Sequence, residues 1–510
     1  MATTERAELA WRRPDLETVL VSALAGVAGV AGSFAVAGYT PAFVAGPIAG
    51  TLARRLPAGL ITFSIVVLGD LGDQLNVLLA LGLAVVLLGL AALAGWAVGD
   101  RFGSPAVGWA GSLVLAGLAT FAVTGAVVPS AVAGLAVALV AAVASVGGPA
   151  VPAEGLSPER RAVLVGAAGA LAFALGGYAL GSRRSDVTPT ASTSSSPASS
   201  GLGLSESVRA DVQDRLTEAS QQSLDVSGLE PLVSTTFYQV DIDPTDPTVD
   251  PTSWQLTVTG SVDRELTYSY ADLLAMTPTN RFSSLRCVGE SLNGHKLDNA
   301  LWTGVPIMDL VEPAGVKPGC CVMFRAHDGF FEEFPLAALS DGFLAYGMNG
   351  HPLPRGHGFP VRALIPGHWG EINVKWITEI EVLETEAEGY WERRGWHGTG
   401  PVNTVAKLHV VNHLPDGRVE VAGHAYAGTR GVRTVQVSTD GGSAWHEAEL
   451  SDPLPDDDVW RQWVYRYDPP AGSHEVVVRA VDGTGAVQPR EDASPYPNGP
   501  SGWVSQTVRP

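Results

Sequence analysis

The chain has 510 residues, 46% of them hydrophobic, and a formal net charge of −20 at pH 7. This acidic balance excludes nucleic acid as a partner, because such binding needs a basic surface. The charge is unevenly divided, since residues 1–184 carry a net +1 and residues 185–510 a net −21. A membrane half followed by an acidic soluble half is therefore expected. Only four lysines accompany 28 arginines, which on an acidic chain indicates a halophile.

Five apolar runs in the first half are almost free of charge and near the roughly 20 residues needed to cross a bilayer. They predict an all-α, multi-pass transmembrane bundle over residues 1–184. The arginine-rich loops, placed inside, put the chain after residue 181 outside the cell membrane. That orientation requires two short apolar pieces between Pro41 and Leu68 to cross, and a re-entrant hairpin is the alternative. The five runs are residues 18–38, 74–98, 105–127, 129–147 and 162–181.

The membrane half lacks the usual ligands of haem iron. No histidine precedes His295 and no cysteine precedes Cys287. Because haem in proteins is held mainly by histidine, cysteine or methionine, we expect no haem in this chain. The bundle is therefore interpreted as an anchor rather than a transporter.

The soluble half is expected to contain three parts. Residues 185–228 form a Ser/Thr-rich linker and an amphipathic helix, predicted over Leu204 to Leu224. Residues 229–398 mix short strands with helical patches, which predicts an α+β domain. Residues 399–510 alternate strands with Asp-Gly turns, as in an all-β immunoglobulin-like sandwich. The adjacent Cys320 and Cys321 are interpreted as small buried hydrophobes in a strand.

Cys287 stands apart as a lone thiol in a polar, glycine-containing stretch, RCVGE at 286–290. Two basic stretches follow within about ninety residues, HGFPVR at 357–362 and NVKW at 373–376. A thiol together with imidazole and cationic groups is the set that an anionic, metal-bearing cofactor needs.

Three pieces, in this order, resemble the sulfite oxidase family of molybdenum enzymes. The first is LRCV at 285–288, the second is LAYGMNGHPLP at 344–354 with the stretch at 357–362, and the third joins IPG at 365–367, VKW at 374–376 and YWERRGW at 390–396. The resemblance covers roughly residues 230–510. It implies a sulfite-oxidase-like molybdopterin domain followed by a carboxy-terminal domain that often mediates homodimers.

The resemblance also implies roles for particular residues. Cys287 would bind molybdenum as a thiolate beside the dithiolene of molybdopterin. Arg362 and Lys375 would neutralise the phosphate of the pterin, and His357 would donate to the same group. The remaining cofactor contacts implied by the resemblance are Phe237, Tyr238, Asp328, Asn373 and Val374.

The substrate side departs from the family pattern. Animal and plant sulfite oxidases have an Arg-Asn-His run near the domain start, where this chain has TTFYQVD at 235–241. Trp396 stands in place of a tyrosine of those enzymes. Arg281 and His368 are candidates to supply positive charge, as are Arg393 and Arg394. The candidate catalytic residues are therefore Cys287, Arg281, His368 and Trp396.

These features predict a membrane-anchored molybdopterin oxidoreductase that moves an oxygen atom to or from a small sulfur or nitrogen compound. A separate electron-transfer protein is expected as its partner, since no cytochrome domain is visible. One alternative is a reductase of S-oxides such as methionine sulfoxide. The other is a non-catalytic binding protein on the same fold.

Overall fold

The computed structural model describes residues 13–146, 158–185 and 205–509. The chain divides into two compact units, and each unit includes a short segment from the other half of the sequence. The helical unit includes Asp241–Thr248, and the second unit includes Pro57–Gly69. Most of the predicted Ser/Thr-rich linker, residues 186–204, lies outside the described residues, as does Arg12.

Within residues 13–146 and 158–185, seven α-helices are present. Five of them are long and apolar enough to cross a membrane, counting Arg160–Arg183 within the last one. These five correspond to the five apolar runs, so the predicted helices are confirmed. The helices are α1 (Leu16–Ala37), α2 (Ala45–Arg55), α3 (Ala58–Phe63), α4 (Asp70–Arg101), α5 (Pro105–Thr124), α6 (Val127–Val146) and α7 (Pro158–Ser185).

Small residues allow the long helices to approach one another closely. A Cβ atom on Gly99 of α4 would lie 2.7 Å from the Cα atom of Gly108 on α5. Helices in a membrane gain stability from such close packing, because lipid supplies little hydrophobic driving force between them. Small residues thus let the apolar helices of this unit pack closely against one another.

The two short apolar pieces form a bent pair. Helix α2 is followed by Ala58–Leu68, and the two are inclined by 109°. Each piece has 11 residues, or about 16 Å of helix, which is half of a bilayer core. Arg54 at the end of α2 forms an ion pair with Asp243. The ion pair thus brings Arg54 beside a residue that follows residue 181, and the side of the membrane on which each lies stays a prediction.

The second unit begins with helix α8 (Glu206–Gln222), whose first turn is capped by the side chain of Ser205. Two further short helices are α9 (Tyr270–Ala275) and α10 (Met308–Val311). The strands of the mixed domain are β1 (Gln255–Gly260), β2 (Leu266–Ser269), β3 (Thr279–Arg286), β4 (Leu297–Pro306), β5 (Cys321–Ala326), β6 (Phe331–Pro335), β7 (Phe343–Met348), β8 (His351–Pro352), β9 (Arg362–Leu364) and β10 (Ile377–Leu383).

These strands form two sheets that position the candidate site residues. One sheet has the order β2-β1-β10-β5-β6, and β1 and β10 run parallel within it. The other has the order β3-β4-β7-β8, with β9 paired to β7. Cys287 follows directly after β3, and Arg362 begins β9. The predicted α+β domain is therefore built from two sheets, and Cys287 and Arg362 lie on the second.

Cys320 and Cys321 are joined by a disulfide bond. Cys321 is buried, whereas Cys320 is exposed. The prediction of two buried hydrophobic thiols is therefore wrong, because neighbouring sulfur atoms at the start of β5 lie close enough to bond. Among the described residues, Cys287 is the free cysteine.

The carboxy-terminal region is β-rich, with two antiparallel sheets. One has the order β11-β13-β17-β16, with β12 on β13, and the other has the order β15-β14-β18-β19. Buried side chains from both sheets, such as Trp463 and Val478, belong to one core cluster. The strands are β11 (Val405–Ala406), β12 (Val410–His413), β13 (Val419–Tyr426), β14 (Val432–Ser438), β15 (His446–Glu447), β16 (Glu449–Leu450), β17 (Arg461–Tyr467), β18 (His474–Asp482) and β19 (Val504–Val508).

Candidate functional site

Cys287 is held where β3 ends. Its backbone N–H donates to the carbonyl of Lys296 at 2.9 Å, which continues the pairing of β3 with β4. The side chain is half-buried. Burial raises the pKa of the Cys287 thiol to about 11. A thiolate at neutral pH therefore requires a bound cation such as a metal ion.

A buried ionic network supports the Cys287 loop. Arg286 Nε donates to Glu290 Oε1 at 2.8 Å, and Lys407 Nζ donates to Glu290 Oε2 at 2.7 Å. All three side chains are at most 1% exposed. Burial alone would raise the pKa of Glu290, but the charges of Lys407 and Arg286 outweigh it and hold that pKa below its usual value. Glu290 thus ties Arg286, the residue before Cys287, to Lys407, which directly follows β11 of the carboxy-terminal region.

Arg362, Lys375 and His357 form a second, cationic group, which we call the cation pocket. Arg362 is 4% exposed, and its Nη2 donates to the carbonyl of Asn373 at 3.0 Å. Its Nη1 donates to the carbonyl of His357 at 3.3 Å, and Lys375 Nζ donates to the carbonyl of Gly356 at 2.8 Å. Burial, with the charges of Lys375 and Arg362, lowers the pKa of His357 to about 3. His357 is therefore neutral at pH 7 and has one N–H to donate.

An aromatic pair connects the cation pocket with Cys287. The ring of Phe237 meets His357 edge to face, with centroids 5.5 Å apart, and stacks on Tyr238 at the same spacing. The backbone N–H of Tyr238 donates to Asp298 Oδ2 at 2.7 Å. Burial raises the pKa of Tyr238 well above its usual value, and the negative form of Cys287 raises it further. Tyr238 Oη and the carbonyl of Arg286 lie 2.9 and 3.3 Å from the point where a Cβ atom on Gly370 would stand, which places Tyr238 near the residue before Cys287. Phe237 lies beside His357.

This arrangement fits an anionic pterin that carries a metal. A metal-binding thiol stands at one end, an aromatic pair lies between, and two cations with a neutral imidazole stand at the other end. Gly358, with a φ angle of +111°, keeps the pocket compact, because a Cβ atom there would lie 2.9 Å from the Cβ of Arg362 and 3.2 Å from the Cα of Lys375. The donor set of this chain therefore suits molybdopterin.

Asn373 and Val374 support the cation pocket through the backbone. The Asn373 side chain accepts from the N–H of Ile365 at 2.6 Å and donates to the carbonyl of Trp369 at 2.9 Å, while its own carbonyl holds Arg362. Val374 is buried, and its carbonyl accepts from Ala363. These contacts fix the turn that positions Arg362 and Lys375.

Asp328 lies in a tight turn after β5. Its Oδ1 accepts from the backbone N–H of Phe330 at 2.9 Å. The neighbouring N–H of His327 donates to the carbonyl of Trp376 at 2.9 Å, which brings this turn beside Lys375. Its predicted contact with the pterin stays a prediction.

Of the other candidate catalytic residues, the structure places Trp396 beside the Cys287 loop. Trp396 is 1% exposed, and its Cη2 lies 3.6 Å from the point where Gly289 would carry a Cβ atom. The cationic candidates Arg393 and Arg394 stack instead on the rings of Phe331 and Tyr390. An arginine held against an aromatic ring is engaged in packing, so neither is aimed at Cys287 by these contacts.

Arg281 and His368 do not bring positive charge to Cys287. Arg281 precedes Cys287 by six residues on β3, or about 20 Å of strand. Its Nη1 donates to the carbonyl of Asp341 at 3.1 Å. His368 Nδ1 lies 2.8 Å from the carbonyl of Pro366, and burial lowers the pKa of His368, so its side chain is uncharged at neutral pH.

Three glutamates that the sequence reasoning missed interact with one another, namely buried Glu332 and half-buried Glu371 and Glu392. Burial and the neighbouring carboxyl of Glu392 raise the pKa of Glu371 to about 8. Burial likewise raises the pKa of Glu332 well above its usual value, and Glu392 adds to that rise. Glu371 and Glu290 both raise the pKa of Cys287, whereas Lys296 lowers it. The surroundings of the thiol therefore include acidic groups that no sequence motif predicted.

The ion pairs of Glu290 beside Cys287 were also missed. Lys407 is one of four lysines in the chain, and its rarity was the available signal. Glu290 lies inside the quoted motif, three residues after the cysteine. The pairing of Glu290 with Lys407 was not predictable, because the two residues are 117 positions apart in sequence, whereas Arg286 lies only four residues before Glu290.

The fold and the site define a molybdopterin-dependent oxidoreductase, and comparisons with known proteins agree. Residues 243–391 match a family described as an oxidoreductase molybdopterin binding domain, and residues 401–496 match a Mo-co oxidoreductase dimerisation domain. The mitochondrial sulfite oxidase of Mus musculus is 30% identical over 297 residues, which are 48% of this chain and 54% of the relative. The uncharacterized oxidoreductase YuiH of Bacillus subtilis (strain 168) is 34% identical over 154 residues, 30% of this chain and 76% of the relative.

Among solved structures, the sulfane dehydrogenase SoxCD from Paracoccus pantotrophus is 19% identical with a TM-score of 0.44, covering 64% of this chain and 95% of that chain. This chain belongs to the sulfite oxidase family. It spans about half the length of the animal sulfite oxidases that it matches. The predicted family and the predicted molybdenum cofactor are confirmed.

Proposed function

We propose that this protein is a membrane-anchored molybdenum oxidoreductase that transfers an oxygen atom between water and a small sulfur compound. The observation that carries this proposal is the thiol of Cys287, joined through Phe237 and Tyr238 to the cation pocket. Small nitrogen oxides are chemically related substrates and stay within the proposal.

Each residue of the site has a task in this chemistry. Cys287 would hold the metal, and Arg362 and Lys375 would bind the phosphate of the cofactor. Neutral His357 would donate its one N–H to the same phosphate. When bound, the cofactor supplies two-electron oxygen-atom transfer. Arg286, Glu290 and Lys407 hold the Cys287 loop in place, because buried charges in a satisfied network permit little movement.

The reaction is balanced in either direction. In the oxidative direction, sulfite and water give sulfate, two protons and two electrons, and a separate electron-transfer protein accepts the electrons. In the reductive direction, an S-oxide, two protons and two electrons give a sulfide and water, and the partner protein donates the electrons.

One observation favours the reductive candidate. Arg281 is bonded to a backbone carbonyl away from Cys287, and His368 is uncharged at neutral pH. Neither residue therefore supplies a cation beside Cys287. A sulfite dianion gains little from them, whereas an uncharged S-oxide needs no such cation. An S-oxide reductase is therefore the second candidate.

A substrate panel tests the proposal. Purified protein is assayed with sulfite and an artificial electron acceptor, and with sulfoxides and a reduced dye as donor. We expect turnover in at least one direction and its loss in Cys287→Ser. Turnover of sulfite alone excludes the reductase. Protein that holds molybdenum but turns over neither substrate class supports the non-catalytic binding protein.

The helical unit would serve as a multi-pass anchor in the cell membrane. Five spans, with the amino terminus inside, put the chain after α7 outside the cytoplasm. We assign residues 1–184 to this anchor, 185–228 to the linker and α8, 229–398 to the cofactor domain, and 399–510 to an immunoglobulin-like sandwich. The match to a dimerisation domain supports a homodimer built through the last of these.

A further inference from the structure

Three acidic side chains interact in the interior of the second unit, and we call Glu332, Glu371 and Glu392 the carboxyl cluster. Glu332 lies on β6, while Glu371 and Glu392 lie on the single-turn helices Gly370–Ile372 and Glu392–Arg394. Glu332 is fully buried, and its Oε1 and both carboxyl oxygens of Glu371 and of Glu392 are shielded from water. Buried carboxylates repel one another, so such a group retains protons at neutral pH.

The inner end of the carboxyl cluster reaches the residue that follows Cys287. A Cβ atom on Gly398 would overlap with Glu371 Oε1 and would lie 2.9 Å from Cγ2 of Val288. The carboxyl group of Glu371 and the side chain of Val288 are therefore neighbours. The charge of Glu371 raises the pKa of the Cys287 thiol, which agrees with this placement.

The other two carboxyl groups of the cluster form a close pair. A Cβ atom on Gly389 would overlap with both Glu332 Oε1 and Glu392 Oε2. The two side chains are near enough to share a hydrogen bond, which requires that one of them be protonated. The other oxygen of Glu332 accepts from the N–H of Trp391 at 3.2 Å. Glu332 and Glu392 therefore hold one proton between them.

The charges that act most strongly on the cluster are other carboxylates. Burial and Glu392 raise the pKa of Glu371 to about 8, so this carboxyl is protonated at pH 7. The two arginines on the turn of Glu392 are stacked on aromatic rings. The titratable groups that face Glu371 are Cys287 from the loop after β3, Glu332 from β6 and Glu392 from its own turn.

Acidic side chains continue from the cluster to the solvent. Burial, with the charges of Glu386 and Glu392, raises the pKa of half-buried Glu333 to about 7. Glu386 itself is exposed. Acidic groups thus extend from the surroundings of Cys287 to the surface, and carboxyl groups with pKa values near the working pH exchange protons efficiently in both directions.

We propose that Glu371 and the Glu332–Glu392 pair form a proton relay, which carries the two protons of each turnover between the Cys287 site and solvent. The inference rests on the proposed function, in which sulfite oxidation releases two protons and S-oxide reduction consumes two. In the reductive direction, Glu371 gives its proton to the site and regains one from the pair, which is reprotonated from solvent through Glu333. In the oxidative direction each transfer is reversed.

The test measures kcat against pH in the purified holoenzyme, with sulfite and an artificial acceptor or with dimethyl sulfoxide and a reduced dye, whichever the wild type turns over. We expect kcat to change around pH 8, falling as the pH rises in the reductive direction and rising in the oxidative one. Reduction needs the protonated carboxyl, whereas oxidation needs the carboxylate.

Three variants separate a relay from a structural role. Glu371→Gln is expected to lower kcat about tenfold or more and to abolish the change around pH 8, whereas Glu371→Asp retains that change because it keeps a titratable carboxyl. Glu388→Gln, at an exposed position, is expected to match the wild type. A change of kcat around pH 8 that persists in Glu371→Gln overturns the inference.

A second measurement needs no turnover, and so it applies even if the wild type turns over neither substrate class and the proposed function fails by itself. Infrared difference spectra of the purified chain detect protonated carboxyl groups through their carbonyl band. We expect a band that disappears as the pH rises through about 8, and that is missing in Glu371→Gln but present in Glu388→Gln. Loss of the band in both variants or in neither contradicts the relay.

Discussion

At the scale of single residues, the site depends on a buried charge network that surrounds the thiol. Glu290 accepts from Arg286 on one oxygen and from Lys407 on the other. Removing one partner from such a group leaves an uncompensated charge in a medium that solvates it poorly. The stability of the Cys287 loop therefore depends on Lys407, although Lys407 lies far away in sequence.

Replacing Lys407 tests this dependence. We expect Lys407→Met to lower the free energy of unfolding of the second unit by about 3 kcal/mol, because Glu290 then stays buried with one cation. Denaturant unfolding monitored by tryptophan fluorescence measures the change. Lys317→Met is the control, since Lys317 is half exposed and its distance to Asp263 is 3.8 Å. Equal losses of unfolding free energy in the two variants would show that the buried network contributes no more to stability than the exposed ion pair of Lys317.

Glu371 predicts a pH dependence of stability. Burial and Glu392 raise its pKa from 4.5 to about 8 in the folded protein. The folded protein thus retains a proton that the unfolded chain releases above pH 4.5, so this contribution is complete below pH 4.5 and is lost as the pH rises to about 8. Between pH 5 and pH 8, the Tm of Glu371→Gln is expected to fall less than the Tm of the wild-type protein.

Thermal unfolding of three proteins checks that expectation. The control is Glu388→Gln, because Glu388 is exposed. It is expected to follow the wild-type slope of Tm against pH. A Glu371→Gln slope as steep as that of wild type would contradict a raised pKa at this carboxyl.

Residue types at the site were predicted unevenly from sequence. Cys287, His357, Arg362 and Lys375 stand in motifs, and the last three are brought together in the structure. Arg281 donates to the carbonyl of Asp341, and its predicted role in supplying positive charge at Cys287 stays a prediction. Sequence patterns show which residues are present, but not which long-range partners hold them.

At the scale of elements, the segment Ala58–Leu68 shows that hydropathy alone does not determine where an apolar piece of the chain packs. The apolar pieces between Pro41 and Leu68 suit either two spans or a hairpin by composition alone. Their placement depends on contacts with residues distant in sequence. Helix α2 contacts Asp243, and Ala58–Leu68 contacts the loop at Gly289. The strands of residues 399–510, by contrast, were predicted from sequence, because alternation and flanking turn residues are local signals.

A double substitution tests the contact between Ala58–Leu68 and the Cys287 loop without measuring activity. Gly289→Ala places a Cβ atom 2.8 Å from Ile65, and we expect it to cost about 1–3 kcal/mol of stability. Adding Ile65→Ala removes the clashing methyl group and is expected to recover at least half of that loss. The cycle is read from unfolding midpoints of the four proteins. Strictly additive losses would indicate that the two residues do not touch.

At the scale of the whole molecule, the two halves of the sequence are interleaved. Asp241–Thr248 belongs to the helical unit, and Pro57–Gly69 belongs to the unit that holds the site. Each exchanged segment makes specific contacts in its unit, an ion pair in the first case and apolar packing in the second. Composition predicted the two halves but not this exchange, since no local pattern records it.

The proposed membrane topology has five spans, with Arg54 on the same side as its ion-pair partner Asp243. We expect Thr51→Cys, on the exposed surface of α2, to react with a membrane-impermeant maleimide added to intact cells. Phe102→Cys, after α4, is expected to react only once the membrane is permeabilised. Both residues are exposed in the structure. The opposite labelling pattern would place the amino terminus and the catalytic unit on the other sides.

The central claim is that Cys287 binds the molybdenum of a single pterin cofactor in each chain. Metal analysis combined with X-ray absorption at the molybdenum edge tests it most directly. We predict one molybdenum per chain with three sulfur neighbours, two from the dithiolene and one from Cys287, and two sulfur neighbours in Cys287→Ser. Protein without molybdenum, or a sulfur count that does not change in Cys287→Ser, would contradict the claim.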